Sequence, residues 1–173
     1  PACVAIDTDD ATYLEATLTS CSGPGGRARL SGTVRGELGF VTTPCGPAQC
    51  PTGVEWTLTA DLTWSDGRSL AGDWILTAPI VATAPRSLEG QLTVTRDDGV
   101  ALATETSATW VTDEAGCTTL DADSMLSGDS SGVLTIEGLE VCPGACPAAG
   151  QAEYIGTRAT VSWTYDGGSV VTV

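Results

Sequence analysis

Residues 57–64 read Thr57-Leu58-Thr59-Ala60-Asp61-Leu62-Thr63-Trp64, a strict alternation of apolar and polar side chains. Successive side chains of a β-strand point to opposite faces, so this run makes a strand with one apolar and one polar side. Ala159, Val161, Trp163 and Tyr165 repeat the pattern near the C-terminus, and Leu92-Thr93-Val94-Thr95 is a shorter case. No window carries the three-to-four-residue apolar spacing of a long amphipathic helix. A half-apolar strand must pair with neighbours and cover its apolar side, which restricts the chain to sheet architectures.

Turn chemistry falls between these runs. Asp66-Gly67, Asp98-Gly99 and Asp166-Gly167 each adjoin strand-like segments, and Asp-Gly suits the type I′ turn of a tight hairpin. Leu134 and Ile136 share one parity while Leu139 and Val141 share the other. An extra residue near Gly138, a β-bulge, reconciles them. The expected fold is all-β: an antiparallel meander of about ten strands, closed as a sandwich or barrel so that the apolar faces are buried.

An internal similarity suggests a duplicated hairpin unit. Cys21 precedes Leu30-Ser31-Gly32 at the spacing by which Cys117 precedes Leu126-Ser127-Gly128. A cysteine pair follows each, Cys45/Cys50 and Cys142/Cys146, and then a long alternating strand ending in an aromatic residue, Asp and Gly. We expect either one domain over residues 1–173 or two packed repeats, 21–80 and 117–173, joined by a hairpin over 81–116. An apolar-x-Gly pattern also recurs at Leu30/Gly32, Leu70/Gly72, Leu88/Gly90 and Leu126/Gly128. Positions i and i+2 share a face, so each glycine leaves a gap that a neighbouring tryptophan can fill.

Seven cysteines, several beside Pro or Gly, suit disulfides and an oxidising compartment. Two arrangements of Cys21, Cys45, Cys50, Cys117, Cys142 and Cys146 are open. Folding residues 22–49 about Arg35-Gly36 brings Cys21 to Cys50, and the same operation about residues 129–132 brings Cys117 to Cys142 or Cys146. The rival arrangement closes the short rings Cys45–Cys50 and Cys142–Cys146. The odd count leaves one cysteine over, and Cys3, outside the repeats, is the candidate free or intermolecular thiol. A chain opening at Pro1 instead of Met leads us to expect an exported, processed product located outside the cell or at its surface.

Absences narrow the chemistry. The sequence has no His, and all seven basic residues are Arg. Without His there is no Ser-His-Asp machinery and no imidazole metal ligand. Gly128-Asp129-Ser130-Ser131-Gly132 fits the hydrolase pattern G-x-S-x-G, but it has no base to serve it and reads as a hairpin tip. A formal net charge of −15 makes nucleic acid a poor partner, and no membrane insertion is expected. Asp7-Thr8-Asp9-Asp10 and Asp121-Ala122-Asp123 resemble fragments of calcium loops. The EF-hand pattern begun at Asp7 fails at Ala11, Thr12 and Leu18. Calcium is therefore a weak expectation, and no other cofactor is expected.

What remains is a non-catalytic role. We expect a self-assembling extracellular subunit of a filament or surface layer, its partner being further copies of itself. The ends are apolar and strand-like, with Val4 and Ile6 at one and Val170, Val171 and Val173 at the other. Such end strands can add to another chain's sheet. The alternative is a monomeric surface module that recognises protein or glycan through the Pro/Cys-rich loops at 44–53 and 142–150.

Overall fold

The computed structural model describes residues 3–8, 11–22, 28–128, 131–144 and 147–167. They form one antiparallel sheet whose spatial order is the sequence order. The strands are β1 (Val4–Asp7), β2 (Tyr13–Ser22), β3 (Arg29–Cys45), β4 (Ala48–Trp64), β5 (Ser69–Pro79), β6 (Arg86–Thr95), β7 (Ala101–Thr112), β8 (Thr118–Gly128), β9 (Gly132–Val141), β10 (Ala149–Gly156) and β11 (Thr160–Tyr165). The all-β meander is as the alternation requires. The expected closure differs. Among the described residues no ladder joins β1 to β11, and no second layer lies on either face.

The register sorts the side chains completely. One line of partners runs Leu14, Gly36, Leu58, Trp74, Gly90, Thr106, Ser124, Leu134, Tyr154 and Val161. The adjacent line runs Glu15, Arg35, Thr59, Asp73, Gln91, Glu105, Met125 and Val133. Partners across a ladder share a face and neighbours along a strand alternate. All five tryptophans therefore fall on one face, and every Asp and Glu within a strand falls on the other.

Among the described residues three bulges interrupt the ladders, one of them in β4 at Thr52, where Val41↔Gly53 is followed by Thr42↔Pro51. In β9 the ladder to β8 shifts between Leu120 and Ala122, and Gly138 takes a φ of 57° there. Asp121 accepts a hydrogen bond from the Gly138 N–H at 2.7 Å. The shift places Leu139 opposite Leu120, so Leu134 and Ile136 before the bulge and Leu139 and Val141 after it lie on one side. The third bulge lies between Leu18 and Cys21 in β2, where Ser20 has a φ of 53° and its N–H donates to Ser31 Oγ.

The Asp66-Gly67 and Asp98-Gly99 turns are tight but not type I′. That type needs positive φ at both central residues, and neither Asp66 nor Asp98 has it. Instead Gly67 N–H donates to the Trp64 carbonyl and Trp64 N–H to the Arg68 carbonyl, with Gly67 at a φ of 91°. This is a type I turn closed by a left-handed glycine. Arg96–Val100 and Asp113–Cys117 repeat the same bonds around Gly99 and Gly116.

The glycine gaps are filled in part as expected. A side chain added at Gly72 or Gly90 would meet the Trp74 ring, so that ring lies across both. Tyr154 lies likewise over Gly132 and Gly156. The two cysteine-bearing stretches occupy different places in the meander: Leu30-Ser31-Gly32 opens β3, whereas Leu126-Ser127-Gly128 closes β8.

Candidate functional site

Three disulfides fix which of the described parts of the sheet cannot move apart. Cys3 pairs with Cys21, Cys45 with Cys50, and Cys117 with Cys142. Cys3 is therefore not a spare thiol: it ties the start of β1 to β2. The Cys21–Cys50 staple does not form, because residues 29–45 continue as one strand straight through Arg35-Gly36. The alternation Leu30, Gly32, Val34, Gly36, Leu38, Phe40 is unbroken there, and nothing turns the chain. Cys45–Cys50 closes the short ring across the Gly46-Pro47 turn. Cys117–Cys142 staples the open end of the β8–β9 hairpin, one of the pairings expected from its loop. Cys146 lies outside the described residues.

The β3–β4 hairpin outruns its neighbours. Its ladder continues to Cys45↔Ala48, while the β4–β5 ladder stops at Gly53↔Pro79. A two-stranded tip with Pro44, Pro51 and its own disulfide thus projects from the sheet.

The acidic face carries most of the described polar contacts between side chains. Glu15 accepts from the Tyr13 hydroxyl at 2.7 Å and from Arg35 Nε at 2.6 Å. The Tyr13 hydrogen bond, then the Arg35 hydrogen bond and charge, hold the Glu15 carboxyl below the usual range. Arg68 bonds Asp66 in the β4–β5 turn and lowers its pKa in the same way. Over β5–β9 this face holds an open groove of about 670 Å³, lined by Asp73, Glu89, Glu105 and Asp123 together with Ile75, Met125 and Val133. Gln91 Nε2 donates to Asp73 at 3.2 Å. Asp121 and Asp123, whose spacing resembles a fragment of a calcium loop, lie within the extended strand β8 and not in a loop. Asp7 lies in β1, and Asp9 and Asp10 lie outside the described residues.

The opposite face is the larger feature. Among the described residues only Cys21 and Ala152 form a buried apolar core, and no large side chain is fully buried. Leu14, Phe40, Trp56 and Leu58 stand on the apolar face and are exposed, Phe40 to 63% and Leu58 to 37%. Val4 and Ile6, the proposed donor positions at the N-terminal end, lie on the edge strand β1 and are also exposed. Val170, Val171 and Val173 lie outside the described residues. The accessible surface is 10925 Å². A compact monomer of 17.6 kDa exposes about 7,900 Å². The excess is about 3,000 Å² over the whole chain, in keeping with a sheet that has no second layer.

The alternation foretold which residues share this face. It did not foretell that the face would stay open, because a strand pattern records which side is apolar and not what covers it. The sequence matches no family model, no curated protein and no solved structure.

Proposed function

We propose that this protein is a non-catalytic, secreted structural subunit that assembles with further copies of itself into a filament or surface layer. The observation that carries the reading is the uncovered apolar face. A single-layer sheet with almost no buried core lacks the main favourable term of folding until something covers it. Three intramolecular disulfides are compatible with an oxidising, extracellular setting. An acidic surface keeps such assemblies apart in solution and resists unspecific association.

The test is light scattering on size-fractionated, fully oxidised protein near neutral pH, with negative-stain electron microscopy of the same fractions. Oligomers that grow into regular filaments or sheets are expected. A dispersed monomer at all concentrations would overturn the reading.

The second reading, a surface recognition module, is favoured by one observation: the projecting, disulfide-closed tip of β3–β4. It requires a monomer whose tip variants lose a ligand without losing the fold.

A further inference from the structure

We propose that the apolar face is covered by the same face of a second copy, so that the unit of assembly is a two-layer sandwich and not a pair of sheets joined edge to edge. This rests on the self-assembly reading and says which surface carries it.

Area argues first. Obligate homodimer interfaces bury about 2,000–5,000 Å² or more counted over both partners, so about 1,000–2,500 Å² per chain, and the excess surface of about 3,000 Å² per chain is enough to supply that. An edge contact through β1 or β11 is much smaller, because β1 has 4 residues and β11 has 6.

Charge argues next. The strand carboxylates all stand on the opposite face. Packing apolar face on apolar face leaves both acidic faces outward in water. An acidic face laid on another acidic face would bring like charges together, and laid on an apolar face it would strip water from unpaired carboxylates.

Chemistry of the face argues third. A lipid-facing sheet places its aromatic residues in two girdles at the interface levels. Here the five tryptophans occupy four register lines, Trp163 sharing that of Trp56 and Trp64, Trp74 and Trp110 each standing on another, so they do not form two girdles. The face also carries polar side chains bonded to each other at its middle, Thr106 to Ser124 at 2.9 Å. Spread aromatic bulk beside small residues is suited to interdigitating with a second sheet about 10 Å away. A pairing of identical faces is two-fold symmetric and closes on itself, leaving the edges β1 and β11 available for growth.

The experiment combines mass with tryptophan accessibility, since every tryptophan reports this face. Oxidised wild-type protein is compared with Leu58→Glu and with Phe40→Glu. Phe40 is 63% exposed, so its replacement spares the single sheet even if the Leu58 variant fails to fold. Met125→Glu, on the acidic face, is the control. The expected result is a wild-type and control mass of a dimer or a multiple of it, with acrylamide quenching several-fold weaker than for free tryptophan. The two apolar-face variants weaken association by at least about a hundredfold, because each change appears twice in a symmetric pair. Wild-type oligomers with fully quenchable tryptophans, unaffected by either variant, would overturn the face-to-face unit while leaving self-assembly standing. A wild-type monomer would overturn both. A monomer whose tryptophans become shielded only on phosphatidylcholine–phosphatidylglycerol vesicles would assign the face to lipid and overturn the proposal.

Discussion

At the scale of single residues, side-chain parity decides almost everything. Trp74 bridges the spaces at Gly72 and Gly90. At Gly90 a Cβ would also meet the backbone carbonyl of Asp73, which cannot move aside as a side chain can. Gly90→Val is therefore expected to destabilise the fold by about 1–3 kcal/mol, read as a lowered urea midpoint with an unchanged slope. Glu15 makes a prediction of a different kind. Its folded pKa is lowered by Tyr13 and Arg35. Its contribution is thus present above the unfolded carboxyl value and is lost as pH falls through the folded one. Glu15→Gln should flatten that acid limb of a stability–pH curve and leave the neutral-pH limb parallel to wild type.

At the scale of elements, the strands were readable where alternation was long. Residues 57–64 lie wholly within β4, with Leu58, Ala60, Leu62 and Trp64 on one face as expected. The bulge at Gly138 was readable for the same reason, because a parity change inside a strand has few other solutions. Disulfide pairing was harder. Cysteines carry no periodic signal, and the pairing about Arg35-Gly36 assumed a turn where β3 runs straight. The turn types are not legible either: Asp-Gly serves two hairpin classes, and the hydrogen bonds that separate them are not written in the dipeptide. The three disulfides should differ in worth by loop length. Replacing both cysteines by serine is expected to cost about 3.5 kcal/mol for Cys117–Cys142 and about 2 kcal/mol for Cys45–Cys50 in the chain-entropy model, measured by denaturant melts of each double variant. The Cys45/Cys50 variant should keep its assembled mass, since that staple closes only the projecting tip.

At the scale of the whole molecule, the sheet is two-sided in chemistry: every tryptophan and most aliphatic residues on one face, the strand carboxylates with Ile75, Met125 and Val133 on the other. The two faces were both written in the sequence. What was not written is the number of layers, because the same alternation serves a barrel, a sandwich within one chain, or a sandwich made of two chains. Electrostatics sets the conditions for the last of these. With a net charge of −15 per chain, association brings like charges together, and salt screens that repulsion over a Debye length of about 8–10 Å. Raising sodium chloride from low to moderate concentration is expected to shift sedimentation toward larger species. The opposite shift would mean that ion pairs, not apolar contact, hold the assembly together.

The most direct measurement is the thermal midpoint of the oxidised protein as a function of its own concentration. A fold whose apolar face is covered by other copies is stabilised by mass action. Tm should therefore rise steadily across a wide dilution series, with the apolar-face variants melting lower and depending less on concentration. A Tm that stays constant over the series, with monomeric mass throughout, would mean that the chain is stable with its apolar face uncovered, and would contradict assembly as the source of its stability.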